Sequence, residues 1–334
     1  MQETKSEKYL CLILGITVFI YIILRAIYVP PYVDEVESFF WYVQTGSFQP
    51  FYCLPEANNH LINSLFERIV FMTFGEGKFM MRLPNVLSFL VYFYFVRQIQ
   101  KLFSKKFIGF SWFIIMLSCL YLIEFFSLGR GYGLSMASLM GAIFYLLKFT
   151  TSNNRKYLCA GLFMASLSLW SNLALMILIL LLGFLFFILL IQKSIQSFRS
   201  KTIFLDIFLI TALFIFPLYY AIKYSIYLKE IGHLYHGSRD TFLKGTVLDL
   251  VNELSGFYAH AHETFYFFLV VYILVSVYVV FSKHVNINSV IIHLLLWGTV
   301  AGTIALHNFM DVNYPQNRTA IQFFVLFVAA FLFF

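Results

Sequence analysis

The chain has 334 residues, of which 61% are hydrophobic, 20% aromatic and only 12% charged, with a formal net charge of +7. A soluble domain carries about 25% charged residues, so this chain cannot clothe a water-facing surface, which excludes a soluble enzyme, a disordered chain and a disulfide-stapled secreted domain. With a mean hydropathy of +0.82 it reads as an all-α polytopic membrane protein.

The basic residues are scattered singly between apolar runs. No Lys/Arg block with interleaved aromatics offers a surface that tracks phosphates, so nucleic acid is not an expected partner. Cys11, Cys119 and Cys159 lie inside apolar runs and Cys53 alone falls in an aqueous stretch. Neither a metal-type spacing nor a disulfide framework follows from them.

About 20 helical residues cross a hydrocarbon core of about 30 Å. Apolar runs of that order lie at 9–29, 79–99, 107–128, 131–149, 157–172, 173–192, 202–222, 264–282, 289–309 and 318–334. They predict about ten transmembrane helices in a single domain spanning 1–334, the fifth and the last being short. The first run is too long for a signal-peptide core and lacks a small-residue cleavage site, so it is expected to remain as an anchor. Basic residues such as Lys5, Arg97, Lys105, Lys148, Arg199 and Lys283 fall on one side of these runs, and most acids fall on the other. The positive-inside rule then places the N-terminus in the cytoplasm and two long segments, 30–78 and 223–263, outside. Both segments carry amphipathic helices. In the second, Leu243, Val247, Leu250, Val251 and Leu254 keep helical spacing, as in a helix lying in the interface or packed on helix ends.

Chemistry concentrates in the outer segments. Pro30-Pro31 end the first helix and hold the chain extended before Asp34-Glu35-Val36-Glu37-Ser38. A carboxylate at the membrane rim can accept a proton from a hydroxyl nucleophile or help to bind a divalent cation. Equally, Asp34 can cap a helix that begins near Val36. Next, His60, Asn63, Ser64 and Glu67 share one helical face, which lines a polar cleft or is simply the solvated side of an amphipathic helix. Lys78 and Arg82 stand one turn apart at the outer end of the second crossing, paired with an anionic headgroup or snorkelling to the interface.

Gly129-Arg130-Gly131-Tyr132-Gly133 lets the backbone approach a neighbour closely and offers a planar phosphate fork, or else forms a tight hairpin whose Arg130 offsets Glu124. The last outer stretch, His307 to Thr319, brings Arg318 to the same predicted side. Carboxylates with scattered arginines suit an anionic lipid donor and a neutral acceptor. His233/His236 and His260/His262 have spacings seen in metal sites but lack a completing ligand nearby, and His293 sits deep in an apolar run.

Taken in order, Asp34-Glu35, Asn59-His60, Phe74-Gly75 leading to Arg82-Leu83-Pro84-Asn85, Arg130-Gly131-Tyr132-Gly133, and Tyr314-Pro315 with Arg318-Thr319 resemble the GT-C-fold glycosyltransferases. The likeness is greatest to bacterial relatives of the protein O-mannosyltransferases and the lipid A aminoarabinose transferases. That resemblance implies inverting transfer of a sugar from a polyprenyl-phosphate donor to a hydroxyl of a lipid, glycan or protein acceptor. The reaction would take place at the outer, periplasmic face of a bacterial inner membrane. It implies Asp34 as general base supported by Glu35, with Arg82, Arg130 and Arg318 holding the donor phosphate. His60, Asn63, Lys78 and Tyr132 would line the cleft. The family fixes no cofactor; some members use a divalent metal and others do not. Where it often reads His-Pro-Pro, this chain reads His60-Leu61-Ile62. Relatives usually continue with further helices past the point where this chain stops, at Phe334, so a short member or part of a longer chain is expected. The competing readings are a transporter or flippase of polyprenyl-linked sugars and a catalytically silent relative of the fold. Acids gathered at one rim and mostly unbroken helices favour the enzyme.

Overall fold

The computed structural model describes residues 5–152, 154–197, 200–234, 236–281 and 286–333. Arg199, Lys283 and Phe334 therefore lie outside the described residues. The described chain is helical, with no strand beyond one isolated bridge between Ser238 and Tyr314. The α-helices are α1 Lys5–Tyr28, α2 Val33–Ser38, α3 Leu61–Phe74, α4 Lys78–Gln100, α5 Lys106–Ser118, α6 Leu120–Glu124, α7 Tyr132–Thr151 and α8 Arg155–Ser171. They continue with α9 Met176–Ser197, α10 Ser200–Ile210, α11 Phe216–Glu230, α12 Asp249–Ser255, α13 Ala261–Phe281, α14 Ile287–Met310 and α15 Ile321–Leu332.

Among the described residues seven stretches are long and apolar enough to cross a bilayer: Lys5–Tyr28, Lys78–Gln100, Tyr132–Thr151, Leu173–Gln192, Leu205–Glu230, Ala261–Tyr278 and Ile287–Met310. An eighth crossing results if Lys106–Ser118 and Leu120–Ser127, bent by 56° at Cys119, count together. Among the described residues the predicted apolar runs are largely helical, but two are shorter than these candidate crossings. The run at 157–172 is the 17-residue α8, whose rise of about 25 Å is less than the hydrocarbon thickness. The run at 318–334 is the short helical stretch Asn317–Leu332. The predicted run at 202–222 instead extends to Glu230, so the second long segment starts later than expected.

The chain groups into two compact units. One comprises residues 1–144, 159–173 and 208–234, the other 145–158, 174–207 and 235–334.

In the first unit α4 packs against α1, α3, α5 and the 3-10 turn Phe125–Ser127. Its core is aromatic: Phe126 lies edge-on to Phe89 at 5.5 Å and close to Tyr92 at 4.9 Å. Two helix breaks leave backbone carbonyls that side chains satisfy. The bend after α5 deprives Met116 of its helical donor, and the Tyr92 hydroxyl donates to that carbonyl at 3.0 Å. Pro217 has no N–H for the carbonyl of Leu213, four residues earlier, within the π-helical turn Thr211–Ile215 that joins α10 to α11. The Ser166 hydroxyl donates there at 2.5 Å. An unsatisfied carbonyl in hydrocarbon costs several kcal/mol, so such donors are what let the breaks persist.

In the second unit α14 packs against α9 and α15. Gly298 and Gly302, four residues apart, bring the α14 backbone against Leu181 and Ile177 of α9. A Cβ at Gly302 would come within 2.6 Å of the Ile177 methyl. Small residues at this spacing are how helices approach closely where no hydrophobic driving force separates protein from lipid. Arg155 is ion-paired with Asp206, and the Thr150 hydroxyl donates to Asn288 at 2.9 Å. The predicted stripe from Leu243 to Leu254 is interrupted. Residues Leu243–Leu248 form a π-helical turn ahead of α12, and its extra residue per turn rotates Leu243 outward while Leu250 is buried. α12 packs on α13 and on the 3-10 turn Asn317–Ala320, where the Asn317 amide donates to Asp249 at 2.7 Å.

The α9–α14 contact yields a direct test. Gly302→Val should lower stability by about 1–3 kcal/mol through overpacking, read as a lower unfolding temperature in detergent. Ile177→Ala in the same chain should restore much of the loss, because the two residues share one contact.

Candidate functional site

The site belongs to the first unit and begins where Pro30-Pro31 end α1. The chain is extended at Tyr32 (φ −75°, ψ 156°) and re-enters a helix at Val33. The predicted cap is thereby displaced: Asp34 lies within the first turn of α2, and Glu35 reaches back so that its Oε2 accepts from the Tyr32 amide at 2.8 Å. Adjacent helical residues point about 100° apart. The consequence here is a division of the two acids, with Glu35 1% exposed and the Asp34 side chain 33% exposed.

Glu35 is saturated. Its Oε1 accepts from Arg82 Nε at 2.9 Å and from the Gly129 amide at 2.5 Å, and its Oε2 accepts from Arg82 Nη2 at 2.6 Å. The remaining donors of Arg82 go to the carbonyls of Ala26 (3.0 Å), Val29 (2.8 Å) and Pro30 (3.1 Å), orphaned where α1 ends. A guanidinium has five N–H groups, and all are taken inside the chain. Arg82, expected to hold a donor phosphate, thus has no donor left for an incoming ligand. It neutralises Glu35 and ties α4 to the end of α1.

The polar face of α3 is turned inward. His60, Asn63, Ser64 and Glu67 are all buried, which disposes of the solvated-face alternative. Asn63 donates to Glu67 Oε1 at 2.9 Å and accepts from Asn85 of α4 at 2.6 Å, while Asn85 accepts from the Leu134 amide at 3.1 Å. Burial pushes the Glu67 carboxyl well above the usual carboxylate range; Glu35 nearby raises it further, while the Asn63 amide and Arg130 oppose the shift. Lys78, the first residue of α4, is half-buried.

The glycines around Arg130 now have a cause. A Cβ at Gly129 would lie 3.1 Å from Glu67 Oε1 and 3.2 Å from Glu35 Oε1, so the backbone passes between two carboxyl groups. A Cβ at Gly131 would overlap the Ser171 carbonyl and the His60 side chain. What the backbone approaches closely is therefore the chain's own polar groups. His60 Nδ1 donates to that Ser171 carbonyl at 2.7 Å, which fixes its tautomer, and its ring stands edge-on to Tyr132 at 4.9 Å.

Arg130 is 2% exposed. Its Nη1 is 2.8 Å from Asp34 Oδ2, its Nη2 donates to Asn58, and its guanidinium lies 5.7 Å from the centroid of the Tyr132 ring. Among the described residues its buried Nε–H meets no acceptor. Glu124, the alternative partner, pairs with Arg25 at 2.8 Å instead.

Asp34, Glu35, His60, Asn63, Arg82, Arg130 and Tyr132 are thus brought into one packed cluster. Arg318 belongs to the second unit, where it is half-buried in the 3-10 turn Asn317–Ala320. Glu67 joins the cluster from the polar face of α3, and Asn58, Asn85 and Ser171 complete it without having been assigned roles from sequence. Asn58 and Asn85 lie in polar stretches that single themselves out, whereas the Ser171 carbonyl carries no side-chain signal. His233 Nδ1 is 2.8 Å from Glu56, and His262 Nε2 is 2.8 Å from Asn252. No group of three His, Cys, Asp or Glu among the described residues is placed to hold a metal ion. Comparison with protein-family models, curated proteins and solved structures finds no match to this chain.

Removing one partner of a buried ion pair leaves the other uncompensated, so Arg82→Met should cost about 3–5 kcal/mol. Arg82→Lys should also be strongly destabilising, since three donors face five acceptors. Both effects are measured as thermal unfolding in detergent. Glu67 generates a pH prediction of definite sign. Its proton is bound more tightly in the folded chain, so its contribution is complete below the ordinary value of 4.5 and is lost as pH rises through the raised value. Glu67→Gln mimics the protonated acid and should flatten that fall in stability above pH 4.5 while preserving the fold.

Proposed function

We propose that this chain is a membrane glycosyltransferase of the GT-C type, moving a sugar from a polyprenyl-phosphate donor to an acceptor hydroxyl, with Asp34 as the general base. One observation carries the reading: of two adjacent acids only Asp34 is accessible, and it is paired with a buried guanidinium whose Nε–H has no acceptor. Glu35, with every lone-pair direction occupied, positions the helix that presents Asp34.

In this reading the donor phosphate engages Arg130, whose planar fork suits it and whose burial strengthens the contact. Sharing the guanidinium with phosphate loosens its hold on Asp34. The acceptor oxygen attacks the anomeric carbon as Asp34 takes the hydroxyl proton. The bond from that carbon to the phosphate oxygen breaks with the electron pair going to the phosphate, and the charge gathering there is stabilised by Arg130. A single displacement inverts the anomeric centre. Tyr132 and His60 wall the cleft, Asn63 and Glu67 back it, and Arg82 supports Glu35. Lys78 is kept as a candidate contact to the donor headgroup; the charge bias of the loops assigns the site to the outer face, and the resemblance to the family implies a bacterial inner membrane.

The test is incubation of the purified protein with polyprenyl-phosphate sugars, with mass spectrometry for released polyprenyl phosphate and sugar-loaded acceptor. Asp34→Asn should lower turnover by about a hundred- to ten-thousand-fold, with expression and donor binding preserved. Full activity in Asp34→Asn refutes the base assignment. Donor binding without turnover in the unaltered chain is the result expected of a flippase or a silent relative.

A further inference from the structure

In the segment between α1 and α4, α3 is inside out for a water-facing helix. Apart from Glu67 and Arg68, the 14 residues of α3 carry no charge. Glu67 is buried, and Arg68 is half-buried, its Nη1 donating to the carbonyls of Val43 and Gln44 at 2.8 Å each. These are the last carbonyls of the π-helical turn Phe39–Gln44, so Arg68 caps that turn and binds it to α3. The exposed residues of α3 are Leu65, Phe66, Ile69, Met72, Thr73 and Phe74, with Met72 71% exposed. The one hydroxyl among them, on Thr73, donates back to the Ile69 carbonyl at 2.7 Å. Val33 and Phe40, on the helical stretch ahead of it, are exposed as well.

A helix with this surface in water would expose a continuous apolar face without one charge to solvate it. Such faces mark contact with another apolar phase. The identity of that phase follows from continuity. α2 starts five residues after the last residue of α1, and α3 ends four residues before the first of α4, and α1 and α4 are both long enough to cross a bilayer. Links of that length reach at most about 18 Å, so the start of α2 and the end of α3 stay close to the membrane surface. A protein partner would need a polar rim and hydrogen-bonding groups on the face it covers, and the only polar side chain exposed on α3 is spent on its own backbone.

We infer that α3 lies in the lipid of one leaflet, with its face of Phe66, Ile69 and Met72 against acyl chains and its polar face inward. This immersion is independent of the transferase reading and stands or falls by lipid contact alone. It accounts for the inverted pattern of α3: a lipid-facing helix buries its polar side, as a soluble helix buries its apolar side.

The experiment places p-benzoylphenylalanine singly at Phe66, Ile69 or Met72, or at the exposed Gln49 as comparison, in chains reconstituted into phosphatidylcholine nanodiscs. Ultraviolet irradiation should give phospholipid adducts by mass spectrometry at the three α3 positions and none at Gln49. Crosslinks to a second copy of the chain, or no adduct at all three positions, overturn the inference. A measurement on the unsubstituted chain guards against misfolded variants. Hydroxyl radicals generated in water should oxidise Met72 many-fold more slowly in nanodiscs than in the same peptide free in solution. Oxidation at the free-peptide rate overturns the inference as well.

Discussion

A carboxylate and a guanidinium shut away from water, Glu35 and Arg82, hold the first unit together at the point where α1 stops. Isolated, each charge would cost several kcal/mol in that environment. Together they close a set in which every lone-pair direction and every N–H is used, and the set draws in backbone from α1, Tyr32 and Gly129. The placement of Arg130 is a consequence. Because the Gly129 amide is held by Glu35, the next side chain is delivered to Asp34 and Asn58. The structural acid thus positions the neighbour of the accessible one.

Two acids adjacent in sequence therefore meet opposite fates, and two arginines do likewise. Arg82 is consumed by five acceptors within the chain, whereas Arg130 keeps an N–H in reserve. Glu67 adds a third acid in a different environment, its carboxyl pushed well above the ordinary range by burial and further by Glu35. Of these three acids only Asp34 reaches solvent, while Glu35 and Glu67 are buried.

The crossings were legible because length and apolarity are properties of a run by itself, as in α1 or α14. Where legibility failed, the missing information lay elsewhere in the chain. Spacing shows that His60, Asn63, Ser64 and Glu67 share a side of α3; that the side faces inward depends on Asn85 and Arg130, which follow much later. Arg82 and Arg130 look alike locally, and only the count of acceptors around each separates them. The G-x-x-x-G spacing of Gly298 and Gly302 can be read directly, but not its partner Ile177. The phase error in the stripe at Leu243 has a different origin, since a π-helical turn breaks the period on which such readings rely.

Order of synthesis gives the Glu35 set a further meaning. Its acid leaves the ribosome 47 residues ahead of Arg82 and 94 ahead of the Gly129 amide. When α1 first enters the membrane, Glu35 has no cation to meet and must remain at the aqueous boundary with its charge hydrated. Burial becomes favourable only after α4 has been inserted, and it is complete only when the turn after α6 has arrived. Assembly of this unit is thus conditional: an early helix waits for a later one to neutralise it. A nascent chain arrested before Arg82 would keep an unpaired acid at its first membrane exit, a feature by which an incomplete product differs chemically from a finished one.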